Sequence, residues 1–429
     1  MPEAPPQDDT GFVASLRSRD YRLLWSSSML SASGQWTLVV GRGWLIHELT
    51  HSSAWVGIVT FAAMVPFLLA TPVGGMLADR FERRLLSAIM QGVSLFASAA
   101  LAVLVFAGWV QPWEVVALAL LAGTGRAIET PATTSLIPNV VPLRYLLNAI
   151  SLNSVATYGS RLIGPAAALL LHRYVNTGSV FVMTAAFYGV AIVLMLRVGP
   201  TAALKRNFDN LWRQTVDTWK YIGRTPMLPI LFLLVGLHCG LTMSIDAVLP
   251  QLADTTLRGS NSTFDLLVMS FGAGTMVGTF ALGGLRSDHA KGSLLLVTGI
   301  LSGVTTAALA LMRGVLPAFL TMAVMGASQG MFMALGNTLV QQIVPDHLRG
   351  RVSSAYLMAG GGAMSIGNLV AGPLADSFGV QQVLLIPALL FLVIMVVLSG
   401  LGPGLRRLYR TGTLTVESPT AGLPAAIGG

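Results

Sequence analysis

Long apolar runs of about twenty residues, separated by short loops, recur along this chain from one end to the other. A helix rises 1.5 Å per residue, so a bilayer core of about 30 Å takes about 20 residues. By that ruler the 429 residues hold twelve candidate spans, at roughly 22–48, 54–79, 85–108, 112–135, 146–171, 177–198, 227–252, 263–285, 292–312, 315–340, 350–375 and 380–402. Pro66, Pro72, Pro165 and Pro373 fall within them. Proline is tolerated in a membrane helix because neighbouring helices re-satisfy the freed backbone groups. The expected fold is therefore an all-α membrane protein with twelve transmembrane helices.

Composition agrees. Only 10% of residues are charged and 54% are hydrophobic, with a mean hydropathy of +0.71, whereas soluble proteins carry about 25% charged residues. The net charge of +8 raises nucleic acid as a partner. Nucleic-acid binding, however, needs Lys and Arg gathered on one folded face with aromatics for stacking. Here they lie in short loops between apolar runs, so the partner expected is a lipid bilayer and no nucleic acid. A lone cysteine, Cys239, excludes an internal disulfide and a Cys-rich metal site. Residues 1–10 lack a basic segment before an apolar core, so no cleavable signal is expected.

The distribution of positive charge tests the span count. With the N-terminus inside, one side of the membrane receives Arg17, Arg19, Arg22, Arg80, Arg83, Arg84, Arg144, Arg197, Lys205, Arg206, Arg213, Lys220, Arg224, Arg286, Lys291, Arg349, Arg351, Arg406, Arg407 and Arg410. The other side receives Arg173, Arg258 and Arg313. Twenty against three follows the positive-inside rule on one unbroken alternation, with both termini cytoplasmic.

The longest connection, 199–226, separates six spans from six. Within it Phe208, Leu211, Trp212, Thr215, Trp219 and Ile222 recur at three- and four-residue intervals, with Lys and Arg mostly between them. That pattern describes an amphipathic helix on the inner membrane surface. The domain plan is a tail at 1–21, a bundle at 22–198, the linker at 199–226, a second bundle at 227–402 and a tail at 403–429.

The two bundles repeat one another. Gly75 and Asp79 recur as Gly284 and Asp288, Val141-Pro142 as Val344-Pro345, and Gly164-Pro165 as Gly372-Pro373, at offsets of 203 to 209 residues. Parallel repeats of this kind enclose a substrate site near the bilayer midplane. The stretch Gly75-Met-Leu-Ala-Asp79-Arg80-Phe-Glu82-Arg83-Arg84 resembles the G-x-x-x-D-R-x-G-R-R signature of the major facilitator superfamily. Glu82 stands where that family has Gly. The region from Pro131 through Asn139, Pro142, Asn148, Asn153 and Arg161 to Gly164-Pro165 resembles the bacterial drug:proton antiporter-3 branch, which includes macrolide and siderophore exporters. The resemblance spans almost the whole chain. It implies two pseudo-symmetric six-helix bundles, alternating access and a bacterial cytoplasmic membrane. It also implies that the charged loop braces the second span against the eleventh and biases which side is open.

Charged and polar residues inside spans are costly and mark substrate or ion pathways. Ser28, Gln35 and Arg42 recur every seven residues on one face of the first span, and His238, Thr242 and Asp246 every four in the seventh. Arg42 and Asp246 occupy equivalent positions in the repeat and are expected either to pair across the outer mouth or to pair locally. Arg126 and Glu129, three apart in the fourth span, form an internal pair or serve coupling, with Arg126 or Arg161 holding Glu129 ionised. His238 reads as a packing histidine or a proton relay.

Rival functions lack residues. No G-x-x-x-x-G-K-[ST] is present to carry ATP-driven pumping. The histidines at 47, 51, 172, 238, 289 and 347 are scattered; His47 and His51 lie one turn apart without a third ligand nearby in sequence. No enzyme activity, cofactor or metal is expected. The expectation is a monomeric secondary transporter exporting amphipathic small molecules against protons; an importer or lipid flippase on the same scaffold is the alternative.

Overall fold

The computed structural model describes residues 14–142, 145–200, 211–282 and 288–401; the side chains of 69–72, 75, 79, 147, 211–214, 288–289, 346–347 and 399–401 lie outside that description. Among the described residues the secondary structure is helical, with no strand. The helices are α1 (Arg19–Thr50), α2 (Ser53–Arg80), α3 (Arg83–Ala107), α4 (Pro112–Val140), α5 (Leu146–Tyr174), α6 (Thr177–Leu196), α7 (Leu211–Arg224), α8 (Leu228–Leu241), α9 (Leu249–Gln251), α10 (Asn261–Ala281), α11 (Asp288–Leu311), α12 (Val315–Ile343), α13 (Asp346–Phe378) and α14 (Val380–Leu401).

Local chemistry sets the boundaries. Ser18 caps α1 through its side chain, which accepts from the Tyr21 N–H, and Asn176 caps α6 by accepting from the Ser179 N–H. Pro112 opens α4, where its missing N–H costs nothing. Gly108 closes α3 with a φ of 69°, the left-handed conformation that glycine takes without penalty.

Among the described residues six helices, α3, α6, α10, α11, α12 and α14, are long and apolar enough to cross a membrane. Their outer faces carry exposed Phe96, Val103, Phe106, Val193, Val277, Leu320 and Val396, as lipid contact requires. Buried polar groups lie both on these helices and on the others: α1 holds Ser27, Ser31, Ser33, Thr37, Arg42 and His47, and α3 holds Arg83, Ser87, Gln91, Ser94 and Ser98. Within the first half α2 packs on α4, α3 on α6, and α1 on α5 and α6; within the second α10 packs on α12, α11 on α14, and α13 on α8. The halves meet along α2 against α13 and α5 against α10.

The seventh expected span is not one helix. α8 ends at Leu241, a turn runs through Asp246, and α9 leads into a π-helical turn at Leu252–Thr256. Pro250 lies just past the break, inside α9, while Pro131, Pro165 and Pro373 sit within unbroken helices, so proline alone does not account for it. The Ser244 hydroxyl donates to the Cys239 carbonyl, and Asn368 Oδ1 accepts from the Ala247 N–H at 2.9 Å. Side chains thus re-satisfy the freed backbone, as membrane depth demands. Asp246 consequently does not share a helical face with His238.

α7 occupies the expected linker and meets α8 at 105°. It buries Ile222 and sets Trp219 edge-on to Phe232 on α8, at 5.7 Å between ring centroids. Asp217, Lys220 and Arg224 are exposed.

Candidate transport site and gates

At the end where α1 begins, called the basic end here, the expected charged turn is two residues long: α2 stops at Arg80 and α3 starts at Arg83. Arg83 is buried and donates to the carbonyls of Ala78 and Ser135 and to Asn139 Oδ1, tying α2, α3 and α4 together. Arg84 donates to the Val198 carbonyl at 2.8 Å, beyond the end of α6. It also meets Glu82 at 2.9 Å, an ion contact without hydrogen-bond alignment. Glu82, the departure from the family signature, therefore has a partner of its own. Arg80 is exposed. Gly284 lies outside the described residues, as do the side-chain surroundings of Gly75, Asp79 and Asp288.

Deeper in the first half, Glu129 is 1% exposed and has donors from three helices. Oε1 accepts from Ser31 Oγ on α1 at 2.6 Å and from Gln91 Nε2 on α3 at 3.0 Å; Oε2 accepts from Arg126 at 3.1 Å. Arg126 borders a small cavity lined by Ser28, Thr130, Asn153 and Thr157. The sequence spacing brings Arg126 and Glu129 together; Gln91 and Ser31 join them only through packing.

Above this network, Tyr188 on α6 donates to Gln35 at 3.3 Å. Arg161 on α5 lies over the Trp36 ring at 4.8 Å, a cation–π contact. Arg42 is buried, and its Nη1 has no hydrogen-bond partner. Asp246 lies within electrostatic range of both Arg42 and Arg161, but no ion pair joins it to either. Of the two alternatives for Arg42 and Asp246, the direct bridge is not formed in this conformation.

In the second half, His238 is fully buried. Its ring packs tilted against Phe332 at 4.2 Å between centroids, shares a hydrogen bond with Ser302 at 3.0 Å and faces no other ionisable group through these contacts. Gly164-Pro165 and Gly372-Pro373 serve different contacts. A Cβ on Gly164 would come within 2.6 Å of Trp36 Cβ on α1, whereas one on Gly372 would strike the Ser53 carbonyl across the interface between halves.

The end opposite the basic one is sealed by polar links between halves. His172 on α5 and Asp265 on α10, both with fully buried side chains, meet at 2.7 Å. Asp376 on α13 accepts from the N–H groups of Ser53 and Ala54 at 2.7 and 3.0 Å, capping α2 from the other half; an anion there also suits the helix dipole. Ser53 Oγ donates to Gln251, and His47 meets Asp254 at 3.2 Å. An apolar cluster including Val40, Ala168, Val248, Phe264 and Ala371 lies beneath these links. Toward the basic end the halves part around a cavity of about 320 Å³, lined by Ser154 and Tyr158 from one half and Thr279, Phe280, Lys291 and Thr338 from the other.

Asp254, Asp265 and Asp376 escaped sequence reasoning because each lies near a span end, where an acid looks interfacial. Only Asp265, just inside an apolar run, carried a usable signal.

Residues 10–403 match the family described as "Transmembrane secretion effector". The chain is 24% identical over 366 residues to the staphyloferrin A transporter of Staphylococcus aureus, covering 84% of this chain and 91% of that one. It is 25% identical over 393 residues to the multidrug efflux pump Tap of Mycolicibacterium fortuitum, covering 88% and 95%. A bacterial homologue of the human lysosomal transporter Spinster superposes with a TM-score of 0.71 at 17% identity, over 93% of this chain and 99% of that one. That likeness shows that the two share a fold.

Proposed function

Because this chain belongs to the transmembrane secretion effector family of the major facilitator superfamily, a family of transporters, we propose that it exports amphipathic organic molecules against an inward proton flow by alternating access. Twelve crossings make two six-helix bundles, with α8, the turn through Asp246 and α9 forming the seventh and α7 lying on the membrane surface. The basic end faces the cytoplasm of a bacterial inner membrane, as its arginines favour. The conformation is then open to the inside.

One observation carries this reading: the polar links between halves lie at one end, while the cavity between them lies toward the other. A carrier that rocks about a central site must hold one mouth shut while the other is open. Substrate enters at the cavity, the His172–Asp265 and Asp376 links part, and the outer mouth opens. Glu129 is the proposed proton carrier. It is enclosed and bonded to Arg126, which borders a cavity, so a proton arriving there would release Arg126 and loosen the links to α1 and α3. The likeness to a multidrug efflux pump supports export.

Proteoliposomes test both direction and driving ion. An imposed pH gradient is expected to drive substrate uptake into inside-out vesicles, and a sodium gradient is not. Transport into right-side-out vesicles alone would instead establish the importer, and movement of fluorescent phospholipid without drug transport would establish the flippase.

A further inference from the structure

Two histidines one turn apart meet an acid from the opposite half at the sealed end. His47 and His51 close α1; His51, with a φ of 50°, is the left-handed residue that ends it. Their rings stand edge to face with centroids 6.0 Å apart. The third ligand absent from the sequence neighbourhood arrives through the broken seventh span, whose π-helical turn carries Asp254 to 3.2 Å from His47 Nε2. The expectation of no metal ligand set rested on that missing third residue, and tertiary structure supplies it.

The three ligand atoms all lie within 4.8 Å of one another. A tetrahedral zinc-type ion binds His nitrogen and carboxylate oxygen at about 2.0–2.2 Å, which sets ligand atoms roughly 3.3 Å apart. Small side-chain rotations close that difference. Two imidazoles and one carboxylate favour a borderline transition ion over Ca²⁺ or Mg²⁺, which prefer oxygen shells. His47 Nδ1 has no hydrogen-bond partner, so the ring is free to carry its proton there and present Nε2. His51 and Asp254 are exposed, which gives an ion a route in.

We propose that His47, His51 and Asp254 form a divalent transition-metal site of the zinc class that bridges the two halves and latches the sealed end. The ligands come from both halves, so an ion held by all three binds the shut form more tightly than the open one. Linkage then requires that it stabilise the shut form by that same difference. The binding claim stands on the ligand geometry; the latch claim rests on the alternating-access reading.

Zn²⁺ titrated into the full-length protein in detergent, against a chelating indicator, tests the site. One ion per chain is expected, with affinity falling at least about tenfold in His51→Asn and in Asp254→Asn, since losing even a hydrogen-bond partner of a ligand costs that much. Asn tolerates the left-handed backbone at 51, and both side chains are exposed, so an unchanged melting temperature verifies the fold. Zn²⁺ added on the sealed side is expected to inhibit transport by wild type and to spare His51→Asn. No one-to-one binding, or equal binding in both variants, overturns the site. Stoichiometric binding with undiminished transport overturns the latch. Should no gradient drive transport, the exporter reading falls while the titration still decides the site.

Discussion

Glu129 shows how much of a buried charge depends on its neighbours. Its carboxylate has three donors, from Ser31, Gln91 and Arg126, and is 1% exposed. Removing one member of a buried ion pair strands the other charge at a cost of about 3–5 kcal/mol, whereas removing both costs much less. Arg126→Gln is therefore expected to lower thermal stability more than Arg126→Gln combined with Glu129→Gln, as measured by intrinsic fluorescence melts. Glu129→Gln alone keeps the shape and the Ser31 and Gln91 neighbours. It is expected to abolish pH-driven export, by at least about tenfold, while substrate binding measured at equilibrium persists; pH-driven export at the wild-type rate would remove Glu129 from the coupling role. His172 and Asp265 form the corresponding test at the seal. Hydrogen bonds between membrane helices are worth about 0.6 kcal/mol on average and at most about 1.7. Asp265→Asn is therefore expected to raise the open population roughly three- to twentyfold. The readout is the rate at which the thiol of Ala168→Cys, in a Cys239→Ala background, reacts with an impermeant maleimide from the sealed side.

Among the elements, α2 and α13 carry most of the contact that alternating access must break. Asp376 caps α2 from across the interface, so α2 has a complete N-terminus only while this mouth is shut. The two Gly-Pro motifs look alike in sequence but act on different boundaries. Gly164 lets α5 approach α1 inside one half, and Gly372 lets α13 approach α2 between halves. Overpacking a close contact typically costs about 1–3 kcal/mol. Gly164→Val is expected to lower the melting temperature with little change in maleimide labelling of the Ala168→Cys protein. Gly372→Val is expected to do the reverse, since the strain is relieved by opening. Equal effects on both readouts would show that the interface between halves does not open as a unit. Helix existence was legible in the apolar runs; the caps at Ser18 and Asn176 were added by the structure. The break at Thr242–Val248 was not, because Pro250 and a four-residue polar spacing are both compatible with a continuous membrane helix. Contacts from Asn368 and Ser244 decide between them.

At the scale of the whole molecule, the seal and the cavity define one conformation of a carrier. Thr338→Cys, lining the cavity in a Cys239→Ala background, is expected to label from the cytoplasmic side and to be protected by transported substrate. Reaction only from the outside would reverse the assigned orientation. The hydrophobic runs, the scarcity of charge and the charged two-residue turn determined an all-helical transporter of this family. They act locally: each run must satisfy its own backbone in lipid, whatever surrounds it. What only the tertiary structure decided is which polar groups meet. Gln91 reaches Glu129, Asp265 reaches His172, Asp376 caps α2 and Asp254 joins His47, all across helices distant in sequence. Such pairings depend on how two bundles dock and tilt, and no spacing along one helix encodes that.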